Sequence, residues 1–139
     1  TTHALRDVDL LLEPGRVYGI MGPSGSGKSS LLYLLSGLKP PTSGKVLYGD
    51  DDLAAMGDAG RARLRRERFG FVFQQPFLLP WLTALENALT GSANERSPDV
   101  AKANFLFSEL GLDGLGHKHP GQLSGGERQR VAVVRALLN

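Results

Sequence analysis

The chain contains no cysteine, which excludes disulfides and thiolate metal sites. Histidine is scarce. His117 and His119 flank Lys118 in a loop with no third ligand in sequence reach, and His3 stands alone, so solvated loops are expected there rather than a metal site. Charge of one sign is also lacking. Sixteen Lys and Arg against 14 Asp and Glu leave a net charge of +2, which gives little support to a nucleic-acid partner. The run Arg61, Arg63, Arg65, Arg66, Arg68 has acidic neighbours and reads as a solvated helix face. Asp50, Asp51 and Asp52 follow a strand directly, lack calcium-loop spacing and read as a polar turn. No apolar run approaches the ~20 residues that span a bilayer, and no secretory signal is visible at the start. A cytoplasmic setting fits these absences.

What is present is enough for one modest domain. The 139 residues are 41% hydrophobic and 22% charged, and 18 glycines and eight prolines are spread along the chain without marking a linker or a repeat. Residues Gly22-Pro23-Ser24-Gly25-Ser26-Gly27-Lys28-Ser29 fit the pattern G-x-x-x-x-G-K-[ST]. Glycines there let backbone N–H groups wrap a polyphosphate, Lys28 can reach the outer phosphates, and the Ser29 hydroxyl can ligate Mg²⁺. The context agrees. Val17-Tyr18-Gly19-Ile20-Met21 reads as a buried parallel strand. Leu31, Leu34, Leu35 and Leu38 recur at helical spacing, so 28 to about 36 reads as an amphipathic helix with Gly37 as its stop. Ser30 lies in the first turn of that helix. Phosphate would then sit at a helix N-terminus.

Other elements follow from periodicity and turn residues. Val8, Leu10 and Leu12 alternate as a half-buried strand, and Pro14-Gly15 turns the chain. Residues 45–48 read as a strand, and about 58 to 68 as a basic helix. Phe69, Phe71 and Phe73 alternate as a strand ending at Gln74-Gln75-Pro76. Helices are expected at about 83–89, 98–110 and 127–138, with a loop over 114–122. Thr83 with Glu86, and Ser124 with Glu127, stand in capping-box register. A capping box accounts for Ser124 and Glu127 but not for the paired glycines Gly125 and Gly126, which leave a second helix N-terminus bare for an anion.

These motifs together resemble the nucleotide-binding domain of ABC transporters over nearly the whole chain. Residues 22–29 match its Walker A loop. Leu123-Ser124-Gly125-Gly126-Glu127-Arg128-Gln129 matches its signature sequence, with Glu127 in place of the commoner Gln. Phe71-Val72-Phe73-Gln74 matches the strand into its Q-loop. The string from Phe73 through Pro80, Trp81 and Leu82 to Asn87 looks most like the branch of lipoprotein-release and macrolide-efflux ATPases.

The resemblance implies an α/β P-loop NTPase (RecA-like) core with an antiparallel β part and an inserted helical subdomain. Residues 1–75 would be the core's N-terminal part, 76–123 the mostly helical subdomain and 124–139 the signature turn and helix. It implies ATP and Mg²⁺ as ligands. Gly22, Pro23, Ser24, Gly25, Ser26, Gly27, Lys28, Ser29 and Ser30 would bind ATP, and Ser124, Gly125, Gly126 and Glu127 would do so across a head-to-tail dimer. Lys28 and Gln74 would be catalytic, and Ser29 and Gln74 would contact Mg²⁺. Transmembrane permease subunits would be partners, with the chain peripheral on the cytoplasmic side. Leu78, Leu79 and Trp81 could dock such a partner or pack inside the helical subdomain.

The same resemblance places the Walker B strand, its carboxylates, the D-loop and the switch histidine beyond Asn139, and the adenine-stacking aromatic before Thr1. An internal piece of a longer domain is therefore expected, inactive by itself. A soluble ABC-type ATPase and a non-catalytic nucleotide-binding module are the alternatives.

Overall fold

The computed structural model describes residues 5–94 and 96–139; His3 lies outside the described residues. The chain divides into two compact units, Thr1–Arg61 and Ala62–Asn139.

In the first unit, helix α1 spans Lys28–Leu35, as the leucine spacing predicts. It stops where Gly37 turns left-handed at φ 65° and donates its N–H to the Leu34 carbonyl at 3.0 Å. That is a glycine C-terminal cap. Gly37 is buried against the Leu53 side chain. Strands β1 (Leu47–Tyr48) and β2 (Asp51–Asp52) pair antiparallel, Leu47 opposite Asp52 and Tyr48 opposite Asp51. The turn between them is Gly49-Asp50, with Gly49 at φ 60°. This hairpin corrects two expectations. The strand expected from Lys45 shortens to Leu47–Tyr48, and Asp51 and Asp52 belong to a ladder rather than to a polar turn.

Helix α2, Asp58–Arg68, has the predicted bounds and contains the boundary between the two units. The second unit is built on α3 (Ala84–Leu89), α4 (Val100–Glu109), a 3-10 turn (Pro120–Gln122) and α5 (Gly125–Leu137). Each helix start has a chemical cause. The Thr83 hydroxyl accepts the Glu86 N–H at 3.3 Å, and the Glu86 carboxylate accepts the Thr83 N–H at 2.8 Å. Asp99 caps α4 through the Lys102 N–H at 2.8 Å. The core packs Ala84 and Ala88 of α3, Ala103 and Phe107 of α4, and Val131 and Val134 of α5 around Leu112, Leu123 and Leu138. Alanines on α3 let helix backbones approach closely, while Phe107 and the valines fill the remaining volume.

Three further strand expectations are corrected. Residues 8–12, 17–21 and 69–73 form no ladder among the described residues. Val8, Leu10 and Leu12 are exposed rather than half-buried, and Val17 and Met21, expected in a buried strand, are 101% and 92% exposed. A run of Val, Ile and Met states only that a segment suits a sheet interior, whereas a strand also requires a partner edge. Residues 69–73 keep the period of two. Phe69, Phe71 and Phe73 are half-buried and Gly70 and Val72 exposed, and the three rings stack at 6.1 and 5.7 Å between centroids.

Candidate functional site: a phosphate-binding loop and a capped glycine turn

The loop over 22–29 gets its shape from consecutive backbone settings. Gly22, Gly25 and Gly27 hold φ of 151°, 81° and 89°, values that L side chains rarely adopt. Gly22 is doubly constrained, because a Cβ there would lie 2.9 Å from the Ser26 Oγ. The loop closes with the Ser26 N–H donating to the Pro23 carbonyl at 3.3 Å. Gly27 is the N-cap of α1 and supplies no side-chain acceptor, and no acidic residue stands in the first turn. The first intrahelical bond runs from the Leu31 N–H to the Gly27 carbonyl at 2.9 Å. The N–H groups of Lys28, Ser29 and Ser30 therefore precede the helical ladder at the positive end of the dipole. Lys28 folds back over this mouth. Its ammonium donates to the carbonyls of Gly22 at 2.9 Å and Pro23 at 2.6 Å, and reaches the Ser26 Oγ at 3.4 Å. The Ser29 side chain is at an exposed position beside it. A glycine loop and helix N-terminus with free backbone donors and one ammonium folded over them suit a polyphosphate tail, and Ser29 supplies a hard oxygen of the kind Mg²⁺ takes.

The second unit holds the other two motifs. Gln74 is exposed in a bend that begins after Phe73. Ser124 is the N-cap of α5 with both halves of the capping box made. Its hydroxyl accepts the Glu127 N–H at 3.2 Å, and the Glu127 carboxylate accepts the Ser124 N–H at 2.6 Å. Those bonds from the Ser124 backbone and hydroxyl hold the Glu127 carboxyl below the usual carboxylate range, with Lys118 and Arg130 adding a smaller electrostatic pull. Gly125 and Gly126 are exposed. Arg128 braces the turn from behind, donating to the Leu123 carbonyl at 2.7 Å and the Pro120 carbonyl at 3.3 Å. His117 and His119 are exposed, and no cluster of three metal-ligating side chains occurs among the described residues.

Of the three apolar residues in the loop after Gln74 expected either to dock a partner or to pack, Leu78 packs against the core of the second unit, whereas Leu79 and Trp81 are 37% and 69% exposed, as is Phe77 at 62%. The sequence reading missed the organiser of this loop. Asn87, 0% exposed, accepts the Leu79 N–H at 2.7 Å and donates to the carbonyls of Leu79, Leu82 and Thr83 at 3.0, 3.0 and 2.9 Å. A lone amide between Ala84 and Ala88 on a buried helix face was the available signal, since a buried amide requires partners.

A family model described as ABC transporter matches residues 5–139. The chain belongs to the ABC transporter family. It is 44% identical over 142 residues to the lipoprotein-releasing system ATP-binding protein LolD of Shewanella oneidensis, covering all of this chain and 62% of that protein. It is 43% identical over 144 residues to the macrolide export ATP-binding/permease protein MacB of Rhodopseudomonas palustris (strain BisB18), covering all of this chain and 22% of that one. The chain thus spans less than two thirds of each of these curated relatives. Among solved structures it is similar to the ATP-binding cassette MJ0796. One structure is a dimeric post-hydrolysis state bound to ADP and Pi, with TM-score 0.88 and 39% identity over 98% of this chain and 62% of that chain. A second dimeric structure of the same bacterial ABC transporter cassette gives TM-score 0.88 and 38% identity, again over 98% and 62%. The fold class is accordingly that of an α/β P-loop NTPase cassette, and the β1–β2 hairpin supplies an antiparallel part within it.

Proposed function

We propose that these residues belong to the ATP-binding subunit of an ABC transporter, which couples ATP binding and hydrolysis to movement of a substrate across a membrane. The observation that carries the reading is the mouth of α1, where three glycines at positive φ, bare N–H groups and the Lys28 ammonium converge. On this reading Gly22, Pro23, Ser24, Gly25, Ser26, Gly27, Lys28, Ser29 and Ser30 bind the triphosphate. Lys28 releases the Gly22 and Pro23 carbonyls and turns to the outer phosphates. There it and the loop amides stabilise negative charge that spreads over the phosphoryl oxygens as the β–γ bond breaks and the oxygen of water bonds to the γ-phosphorus. The Ser29 hydroxyl and the Gln74 amide oxygen would hold Mg²⁺, which neutralises phosphate charge when bound. Gln74 also orients the attacking water.

Ser124, Gly125, Gly126 and Glu127 face a nucleotide held by a second, head-to-tail copy. The relatives' names support this transport setting: LolD is named for lipoprotein release and MacB for macrolide export, and MJ0796 is a dimeric cassette. Permease subunits are the membrane partners, and the exposed Phe77 and Trp81 suit the apolar side of such a contact. The protein would lie on the cytoplasmic face, held through the permease; no helix among the described residues is long and apolar enough to cross a membrane. Residues 1–75 would serve as the first part of the catalytic core, 76–123 as the helical subdomain and 124–139 as the signature segment.

The test uses the full-length protein. Lys28→Ala is expected to cut Mg-ATP turnover by about 100-fold or more, the usual scale for losing a charge-stabilising donor, and to weaken nucleotide binding. Ser124→Ala should lower turnover while leaving monomer affinity for nucleotide close to normal. Unchanged affinity and turnover with both replacements present would refute the proposal.

A further inference from the structure

Two side chains of α5 grip the backbone on either side of Gln74. Gln129 donates its amide N–H to the Phe73 carbonyl at 2.9 Å, immediately before the glutamine. Arg135 donates to the Pro76 carbonyl at 2.7 Å and the Phe77 carbonyl at 3.0 Å, just after it. Partners separated by 56 to 59 residues make these tertiary bonds, not local turn geometry. Gln74 and Gln75 form an exposed bend between the two grips. Phe77 ends that bend at φ 46°, a setting that a bulky side chain keeps only where its surroundings hold it. A guanidinium presents its donors in a fixed fork, so one Arg can pin two successive carbonyls at such a turn. The helix that supplies both grips begins at the Ser124 turn, whose first turn is fixed by its own capping box.

We infer that Gln129 and Arg135 are positioning residues that fix the Gln74 backbone with respect to the Ser124 turn, so that the two motifs move as one body. The inference rests on the function proposed above, because the posture of Gln74 matters only if it meets Mg²⁺ and the attacking water. Gln129 and Arg135 grip only backbone carbonyls of the Gln74 loop, and the nucleotide-cradling loop lies in the other unit. Their loss should therefore slow turnover without weakening ATP binding.

In the full-length protein, Gln129→Glu keeps the side-chain size but removes the N–H donor. It is expected to lower kcat by roughly 10- to 100-fold, the scale of an ångström-level misplacement, with KM for ATP held within about twofold, as for an interaction that matters only in the transition state. Gln129→Lys restores a donor of similar reach and should recover most of the rate. Gln74→Ala should also lower kcat, and the double variant Gln74→Ala/Gln129→Glu should be no slower than Gln74→Ala alone, since both changes act through one residue. Val131→Ala, at a buried position on the same helix, reports what loosened packing does: a lower Tm with kcat kept below the melt. If Gln129→Glu does not fold, Arg135→Lys gives the same comparison, replacing the fork with a single-point donor. Parent-like kcat in these variants, or losses that multiply in the double variant, overturns the inference while an active parent leaves the proposed function standing. A full-length parent with no Mg-ATP turnover overturns both.

Discussion

Replacing Asn87 by alanine should unfasten the loop that carries Leu79, Pro80 and Trp81. The side chain is wholly buried and makes four hydrogen bonds to that loop's backbone. Their losses are unequal. The Leu79 carbonyl keeps a bond from the Leu82 N–H at 3.2 Å, and the Thr83 carbonyl keeps one from the Asn87 N–H at 2.9 Å. The Leu79 N–H and the Leu82 carbonyl keep no other bond among the described residues. An orphaned part-buried donor and acceptor cost about 1–3 kcal/mol each, less where water can enter the vacated space, so about 3 kcal/mol in total is expected. For a cassette of roughly 150–250 residues that corresponds to a fall in Tm of about 6–12 °C.

Two variants separate the hydrogen bonds from the volume. Asn87→Asp keeps an acceptor for the Leu79 N–H but sets a carboxylate against three carbonyls, so it should be at least as damaging as alanine. Asn87→Leu fills the space and satisfies nothing, so it should not rescue. Thermal melts of the full-length protein give the stability, and amide exchange at Leu79 gives the local opening, which should accelerate in Asn87→Ala and Asn87→Leu. Melting within about 2 °C of the parent for Asn87→Ala, with Leu79 exchange unchanged, would show that the network does not hold the loop.

Gly91→Ala drives a methyl group into the Arg135 carbonyl on α5; it should lower soluble yield and Tm, whereas Gly121→Ala, with open space at its Cβ, should melt like the parent. The Glu127 cap should weaken in acid. Its pKa is lowered in the folded state by the Ser124 bonds, so its contribution is complete above the ordinary carboxylate pKa and is lost as pH falls through the depressed value. Melts of the parent and Glu127→Gln from pH 7 to pH 3 should therefore converge as pH drops, and a constant gap would contradict the linkage. Expressed alone, residues 1–139 should self-associate, because Val17 and Met21 expose apolar side chains where no ladder among the described residues covers them. A monomer with cooperative unfolding would be the contrary result.

What the sequence makes legible is what lies within one turn of chain. Both capping boxes join residues three apart, and both form as read. The stop of α1 at Gly37 and the bounds of α2 are local in the same sense. Strands are not local. Residues 17–21 carry the same apolar run whether or not a partner edge lies beside them, so the pattern predicts suitability for a sheet and not a ladder. Leu78 and Trp81 share one loop and one apolar character, yet one packs inward and the other faces solvent. The tertiary core that Leu78 meets decides between them.

The same distinction divides the candidate site. The loop over 22–29 is shaped by backbone settings of consecutive residues, with Lys28 folding over its own loop. A pattern of glycines can therefore announce its ligand class directly. The posture of Gln74 depends instead on Gln129 and Arg135, more than 50 residues away, and on a strained Phe77 that nothing in its own segment requires. A polyphosphate cradle is thus written locally, whereas the link between the Ser124 turn and the Gln74 bend is written across the fold. It follows that Gln129→Glu and Arg135→Lys, which leave the 22–29 loop intact, are where turnover and nucleotide affinity should part company.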